Sequence, residues 1–359
     1  MPLLARTVLS PLTIEISDGA IDRLGSVVTD ARISSGQVAV ALGPGMGPQL
    51  ADRVQATLPA AEIITIEAGS QEAAIALADR FKTHAFDAVV GIGGGKVLDT
   101  VKYAAMLQGM PMVAVATSLA HDGLASPVST LTRNGVSISY GVHTPIAVIV
   151  DIGLVLQSPG TQTRGGVGDA LSNLSAIADW ELSHEISGEP IDGLAVALAR
   201  TGGDAILSHP GDIDDPDFVA TLANSLILGG FAMAVAGSSR PCSGACHELW
   251  HAMSALFPDQ APSHGYGAGI GALYATFLRT RYAETGNGDM TNFHRLSAAL
   301  ARHGLPRVPS EIGLTTEQFA AAIEFAPATR PGRFTILEHL ALDAGAIATA
   351  VKEYIDAVG

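Results

Sequence analysis

Cysteine is nearly absent. Cys242 and Cys246 are the two in 359 residues, and one pair cannot build a disulfide framework. With no second pair to match their C-x3-C spacing, they do not make a thiolate zinc site and read as small packing residues. Aromatic residues are scarce at 5%, against 48% hydrophobic residues and 40 glycines. Such a composition suits closely packed helices and a parallel sheet with glycine-rich turns. Positive charge is in short supply: 20 Lys and Arg against 35 Asp and Glu leave a net charge of −15. That balance argues against a nucleic-acid or anionic-membrane surface. An anionic substrate would then need a local positive centre, such as a metal or a histidine cluster. The apolar run Leu226–Ala236 holds Gly229 and Gly230 and is expected to be too short for membrane insertion. No stretch reads as a signal peptide, so the expected location is cytoplasmic.

The length is most simply read as two domains, with residues 1–160 forming a Rossmann-like dinucleotide-binding domain and residues 161–359 a helical metal- and substrate-binding domain. In the first, short apolar runs at 37–42, 62–66, 87–92, 112–116 and 147–150 read as strands. They alternate with helical patterns at 49–58, 71–83 and 96–107, which predicts a doubly wound parallel sheet. Beyond residue 165 the Ala/Leu-rich stretches 170–182, 194–207, 218–236, 245–256 and 267–280 predict an all-α domain. A short connection is expected around Gln157–Gly165.

Chemistry concentrates in a few segments. Gly91-Ile92-Gly93-Gly94-Gly95-Lys96 lies at a strand-to-helix turn, where backbone N–H groups and the helix dipole favour a phosphate. It is neither a Walker A loop, since Val90 stands at the first glycine position, nor GxGxxG, since Lys96 replaces the third glycine. Thr117-Ser118-Leu119-Ala120-His121-Asp122-Gly123 follows the next strand at the same sheet edge, where ligands bind in such sheets. Gly165-Gly166-Val167-Gly168-Asp169 is expected to open the helical domain, with Asp169 as an N-cap or a metal ligand.

The most telling stretch is His247-Glu248-Leu249-Trp250-His251, with His264 thirteen residues on. Three of the eleven histidines fall within residues 247–264, which points to a metal site. The spelling is also HExxH, in which His247 and His251 would share one helix face and bind zinc with Glu248 as general base. His84, His184, His209 and His303 have no partner pattern and are expected at the surface.

In this order the segments resemble the sn-glycerol-1-phosphate dehydrogenases, within the iron-type alcohol dehydrogenase and glycerol dehydrogenase superfamily. The matching stretches are residues 91–99, 117–127 and 168–173, and Ala236-Gly-Ser-Ser-Arg-Pro-Cys-Ser-Gly244 leading into the histidine helix. The resemblance implies that Asp169, His247 and His264 hold one divalent metal, zinc first and nickel or iron next, with His251 facing the substrate. It implies that Gly94, Gly95, Lys96, Val97, Leu98, Thr117, Ser118 and Ser126 contact NAD or NADP, and that Asp122 contacts the substrate. Asp122, Asp169 and His251 are thus the implied catalytic residues. The implied reaction is reversible reduction of dihydroxyacetone phosphate to sn-glycerol 1-phosphate by a homo-oligomer.

One departure matters, because the family's His-Gly-Glu is here His264-Gly265-Tyr266. It leaves another small polyol, polyol phosphate or hydroxy-ketone as the alternative substrate. More remote readings are a dehydroquinate-synthase-type lyase or cyclase, an HExxH zinc peptidase, and a nucleotide-binding member without catalysis.

Overall fold

The computed structural model describes residues 11–30, 32, 33, 36–282 and 290–359. The chain divides into two compact units, Met1–Gly160 and Thr161–Gly359.

The first unit runs β1 (Thr13–Ser17), α1 (Leu24–Val28), β2 (Val38–Leu42), α2 (Gly47–Thr57), β3 (Glu62–Thr65) and α3 (Gln71–His84). It continues with β4 (Ala88–Gly93), α4 (Gly95–Gln108), β5 (Met112–Ala116), β6 (Val128–Arg133), β7 (Val136–Gly141), β8 (Ala147–Asp151) and α5 (Ile152–Gln157). Six strands form one parallel sheet in the order β1-β8-β5-β4-β2-β3. Every residue of β2, β5 and β8 is buried, which is why these strands are continuous Val/Ala/Ile runs instead of alternating ones. From β2 the chain moves outward to β3, whereas from β4 it moves the other way to β5. The switch point therefore falls beyond the carboxyl ends of β2 and β4, where open α/β sheets bind their ligands.

The short helices α1 and α5 were not expected from the sequence, nor were an edge strand and a hairpin. The edge strand, β1, is at most half-buried along its length and carries no apolar run. The hairpin is the antiparallel pair β6–β7, whose turn residues Asn134 and Gly135 have φ of 52° and 79°. Two left-handed residues in an Asn-Gly pair make the tight turn that matches strand twist. Its flanks are rich in Ser and Thr, and that hid the strands.

The second unit consists of α6 (Gly160–Ser187), α7 (Gly193–Ser208), α8 (Pro216–Ala236), α9 (Ala245–Leu256), α10 (His264–Arg281), α11 (Thr291–Arg302), α12 (Thr316–Thr329), α13 (Ile336–Leu340) and α14 (Ala344–Val358). Asp192 caps α7 by accepting from the amides of Leu194 and Ala195 at 2.9 and 3.1 Å. Thr315 and Gln318 form a reciprocal capping box on α12. Buried Asp179 on α6 accepts from the amides of Ala245 and Ile336, both at 2.8 Å, and from Arg279 at 2.5 Å. One carboxylate so ties the start of α9, the start of α13 and the end of α10 to α6.

Four expectations are corrected. Asp169 is not at a helix start: α6 begins at Gly160, so Asp169 sits mid-helix and is not its N-cap. For the same reason the connection is confined to Ser158 and Pro159 between α5 and α6, because the three glycines of 165–168 are absorbed into a helix that other helices pack against closely. The apolar run around 226–236 is part of the 21-residue α8, long and apolar enough by length and composition to cross a membrane. Its most apolar window is 61% buried within the chain, much of it against α7, which accounts for its character as a core helix.

The fourth correction is His303, which is buried instead of exposed and stacks on Phe218 with ring centroids 4.7 Å apart. Burial, reinforced by Arg302, pushes its pKa down from 6.5 to about 4. The unfolded chain therefore takes up a proton here between about pH 6.5 and 4 that the native state does not, so this contribution to stability is lost as pH falls through that window. Thermal unfolding should show a smaller drop in Tm from pH 7 to pH 5 for His303→Phe than for the wild type. Equal drops would remove His303 as a source of acid sensitivity.

Candidate metal and dinucleotide sites

Close helix crossings bring the metal-type side chains together. A Cβ on Gly168 of α6 would lie 2.2 Å from the Gly265 carbonyl oxygen, and one on Gly265 would lie 1.8 Å from that of Gly165. Backbone thus touches backbone where α6 meets α10, and the residues beside the two glycines, Asp169 and His264, are forced to meet. A Cβ on Gly271 would likewise lie 2.6 Å from the Cys246 carbonyl oxygen, drawing α9 and its His247 against α10.

The outcome is a triangle of donor atoms. His264 Nε2 is 3.1 Å from Asp169 Oδ1, His247 Nε2 is 3.6 Å from the same oxygen, and the two Nε2 atoms are 3.1 Å apart. Tetrahedral ligands at the 2.0–2.1 Å usual for zinc stand about 3.3 Å from one another, so these edges suit a single ion. The chemistry suits it as well: one carboxylate and two imidazoles, all presenting lone pairs to one point. Burial pushes His247 down to about 4, and the neutral imidazole is the metal-binding form. Burial opposes ionisation of Asp169, but hydrogen bonding and charge from His247 and His264 outweigh it and hold the carboxyl well below the usual range. Trp250 packs edge-on against His264 at 4.4 Å, with its indole N–H donated to the Pro262 carbonyl at 3.2 Å.

Neither of the other HExxH residues joins the triangle. Glu248 is fully buried and turns toward Thr335, whose hydroxyl donates to Oε2 at 3.1 Å. Burial, with Glu338 and Asp179 nearby, raises its pKa to about 8. It is placed to hold α9 to α13 and not to activate a water. His251 accepts a hydrogen bond at Nε2 from Arg330 at 2.8 Å. The peptidase geometry is therefore not formed.

In the first unit, Gly94 precedes α4 in extended backbone, and the first helical residues are Gly95 and Lys96. Amides at these positions have no intrahelical partner. Val97 and Leu98 are buried, and their amides already bond the Gly94 carbonyl at 2.9 and 3.1 Å. A Cβ on Gly43 after β2 or on Gly93 at the end of β4 would collide with Val97, at 2.4 and 2.7 Å. Glycines at both strand ends thus let Val97, and with it the start of α4, pack directly on the sheet edge. Thr117 follows β5 and bonds the Gly93 carbonyl through its amide at 3.1 Å, which places it beside the glycine turn. Ser118 Oγ is buried and has no hydrogen-bond partner among the described residues, a state usually relieved by a ligand or water. Ser126 is buried, and half-buried Asp122 starts a short 3₁₀ turn.

Three features of these sites escaped the sequence. The His121 ring lies over the glycine turn, where a Cβ on Gly95 would be 2.3 Å from its Nε2. Lys102 is completely buried and donates to the carbonyls of Gly123, Ser126 and Val128, holding the 122–128 loop in place. Arg330 and Arg333 sit near His251 in a region that showed no motif. A single spacing can flag a ligand pair, but nothing local marks a buried lysine or an arginine eighty residues away.

Comparison with known proteins agrees with this architecture. Residues 15–159 match the model of the iron-containing alcohol dehydrogenases. The glycerol-1-phosphate dehydrogenase [NAD(P)+] of Methanospirillum hungatei is 34% identical over 335 residues, 91% of this chain and 89% of that one. The enzyme of the same name from Thermofilum pendens is 32% identical over 351 residues, 96% of each chain. Among solved structures, a probable glycerol dehydrogenase from Sinorhizobium meliloti superposes with a TM-score of 0.78 at 20% identity, covering 99% of both chains, and establishes the fold. With a third of its residues shared along nearly the whole length of these relatives, the chain belongs to the glycerol-1-phosphate dehydrogenase family of iron-containing alcohol dehydrogenases.

Proposed function

We propose that the protein is a metal-dependent, NAD(P)-linked dehydrogenase that interconverts dihydroxyacetone phosphate and sn-glycerol 1-phosphate. The Asp169–His247–His264 triangle carries this reading, and the names of the family's curated members support the substrate and the cofactor. A divalent metal held by these three residues, zinc first and nickel or iron next, would supply Lewis acidity toward a carbonyl oxygen. Reduction adds a hydride from NAD(P)H to the carbonyl carbon and a proton to its oxygen.

The remaining roles fall to the chain itself. Asp169 contributes the negative charge of the ligand set, and buried His247 contributes a neutral imidazole. The first-turn amides of Gly95 and Lys96 suit the cofactor pyrophosphate, with Thr117, Ser118 and Ser126 alongside. The Val97 and Leu98 side chains would act by shaping the turn from beneath. Asp122 is assigned to a substrate hydroxyl. His251 orients Arg330 through their hydrogen bond. A cytoplasmic location fits the net charge, and a homo-oligomeric state is carried over from the family.

The test is reduced-nicotinamide absorbance with dihydroxyacetone phosphate, using chelator-treated enzyme reloaded with Zn, Ni or Fe. Metal-dependent loss of NADH or NADPH is the expected result. No turnover with any metal or either cofactor would overturn the reading, and turnover restricted to unphosphorylated hydroxy-ketones would reassign the substrate.

A further inference from the structure

The two histidines of α9 are one turn apart and go to different neighbours. His247 joins Asp169 and His264, whereas His251 accepts from Arg330 Nη2 at 2.8 Å. Arg330 immediately follows α12, and Arg333 lies three residues on. Arg330 Nη1 and Arg333 Nη2 each donate to Ser239 Oγ at 3.2 Å, and Arg333 Nη1 donates to the Ser243 carbonyl. Two guanidinium groups thus converge on one hydroxyl oxygen. Both are half-buried, and among the described residues neither has a carboxylate within ion-pair distance. Of the nearby carboxyls, Glu189 is engaged by Arg240, and Glu248, which acts on both arginines from beyond ion-pair distance, is bonded to Thr335 and held toward its neutral form by burial.

Paired like charges withdrawn from water are unfavourable unless an anion completes the set. Burial lowers the pKa of both arginines, and mutual repulsion adds to this at Arg333, which falls to about 10. A phosphate satisfies the arrangement, since its oxygens accept the planar fork of each guanidinium in charge-assisted bonds. The position is apt too. His247 and His251 are one turn apart along α9, about 6 Å of rise, so the donor triangle and the arginine pair are anchored on successive turns of the same helix.

We propose that Arg330 and Arg333, with Ser239, form the site that binds the phosphate group of the substrate and so sets the preference for phosphorylated over free trioses. The inference rests on the dehydrogenase reading above and extends it to residues outside the metal and dinucleotide motifs. His251 is a positioning residue here, holding Arg330 by its Nε2 lone pair.

The experiment measures kcat/KM for dihydroxyacetone phosphate and for dihydroxyacetone in wild type, Arg330→Met, Arg333→Met and the two lysine variants. Removing either arginine should lower the ratio of the two values about 100-fold, mainly through KM for the phosphorylated substrate, and lysine should restore part of it. A second readout needs no turnover. In chelator-treated protein saturated with NADH, inorganic phosphate should raise the Tm of the wild type but not of the Arg330→Met/Arg333→Met protein. A wild type without preference for the phosphorylated triose would overturn the proposal. So would variants that keep the ratio within threefold and still respond to phosphate. A wild type that turns over neither triose but gives the arginine-dependent phosphate shift would instead overturn the dehydrogenase reading and leave the anion site standing.

Discussion

Asp169→Asn is expected to lower turnover of dihydroxyacetone phosphate at least about a thousandfold, because Lewis-acid stabilisation is worth several kcal/mol and each 1.36 kcal/mol is a factor of ten. Asparagine keeps the shape of the side chain, and so preserves the glycine crossing of α6 and α10 on which the local fold depends. It removes the charge that the two imidazoles share, leaving a neutral set with much weaker hold on a divalent ion. Metal analysis of the purified variant should therefore show stoichiometry near zero beside an unchanged far-ultraviolet circular dichroism spectrum. A fully active Asp169→Asn enzyme with bound metal would overturn the ligand assignment.

The largest expected loss of stability is at Lys102→Met. Lys102 Nζ lies 3.1 Å from Asp99 Oδ1, with 0% and 5% of the two side chains exposed. The ammonium also donates to the carbonyls of Gly123, Ser126 and Val128 at 2.6, 3.4 and 2.5 Å. Methionine fills the same space but abandons Asp99 as a buried charge together with three carbonyls. Breaking one half of a buried pair costs about 3–5 kcal/mol. At roughly 2–4 °C per kcal/mol for a domain of this size, the first unfolding transition should fall by about 10 °C. Because Asp99 Oδ2 also accepts from the Thr130 amide at 3.2 Å, the Asp99→Asn/Lys102→Met double variant should recover part of the loss and not all of it. The loop released by the change carries Ser126, so the Kd for NADH should rise alongside. An unchanged Tm would show that the buried pair contributes nothing beyond a hydrophobic substitute.

Much of the first unit was legible because its strands and turns are locally encoded. Runs such as Val38–Leu42 and Met112–Ala116 are apolar throughout since both faces of the sheet are covered, and the triple glycine marks its own turn. The hairpin was written as well, in Asn134-Gly135, yet polar strands on either side masked it. The helices α11 to α14 lack any chemical motif, although the stretch that holds them supplies Arg330 and Arg333.

The histidine helix shows where sequence stops. Spacing alone established that His247 and His251 share a face and that His264 lies close in the chain, and this is enough to announce a metal-type cluster. It leaves two chemistries open, since consecutive helix residues point about 100° apart and each could meet any neighbour. Tertiary structure decided between them. Glycine contacts between α6, α9 and α10 brought Asp169 to His247 and His264 from 78 and 95 residues away. Packing then turned Glu248 into Thr335 and gave His251 to Arg330. Residue types and periodicity are local properties and survive in the sequence; which backbones approach closely enough to share an ion depends on how whole helices cross, and that is a property of the fold alone.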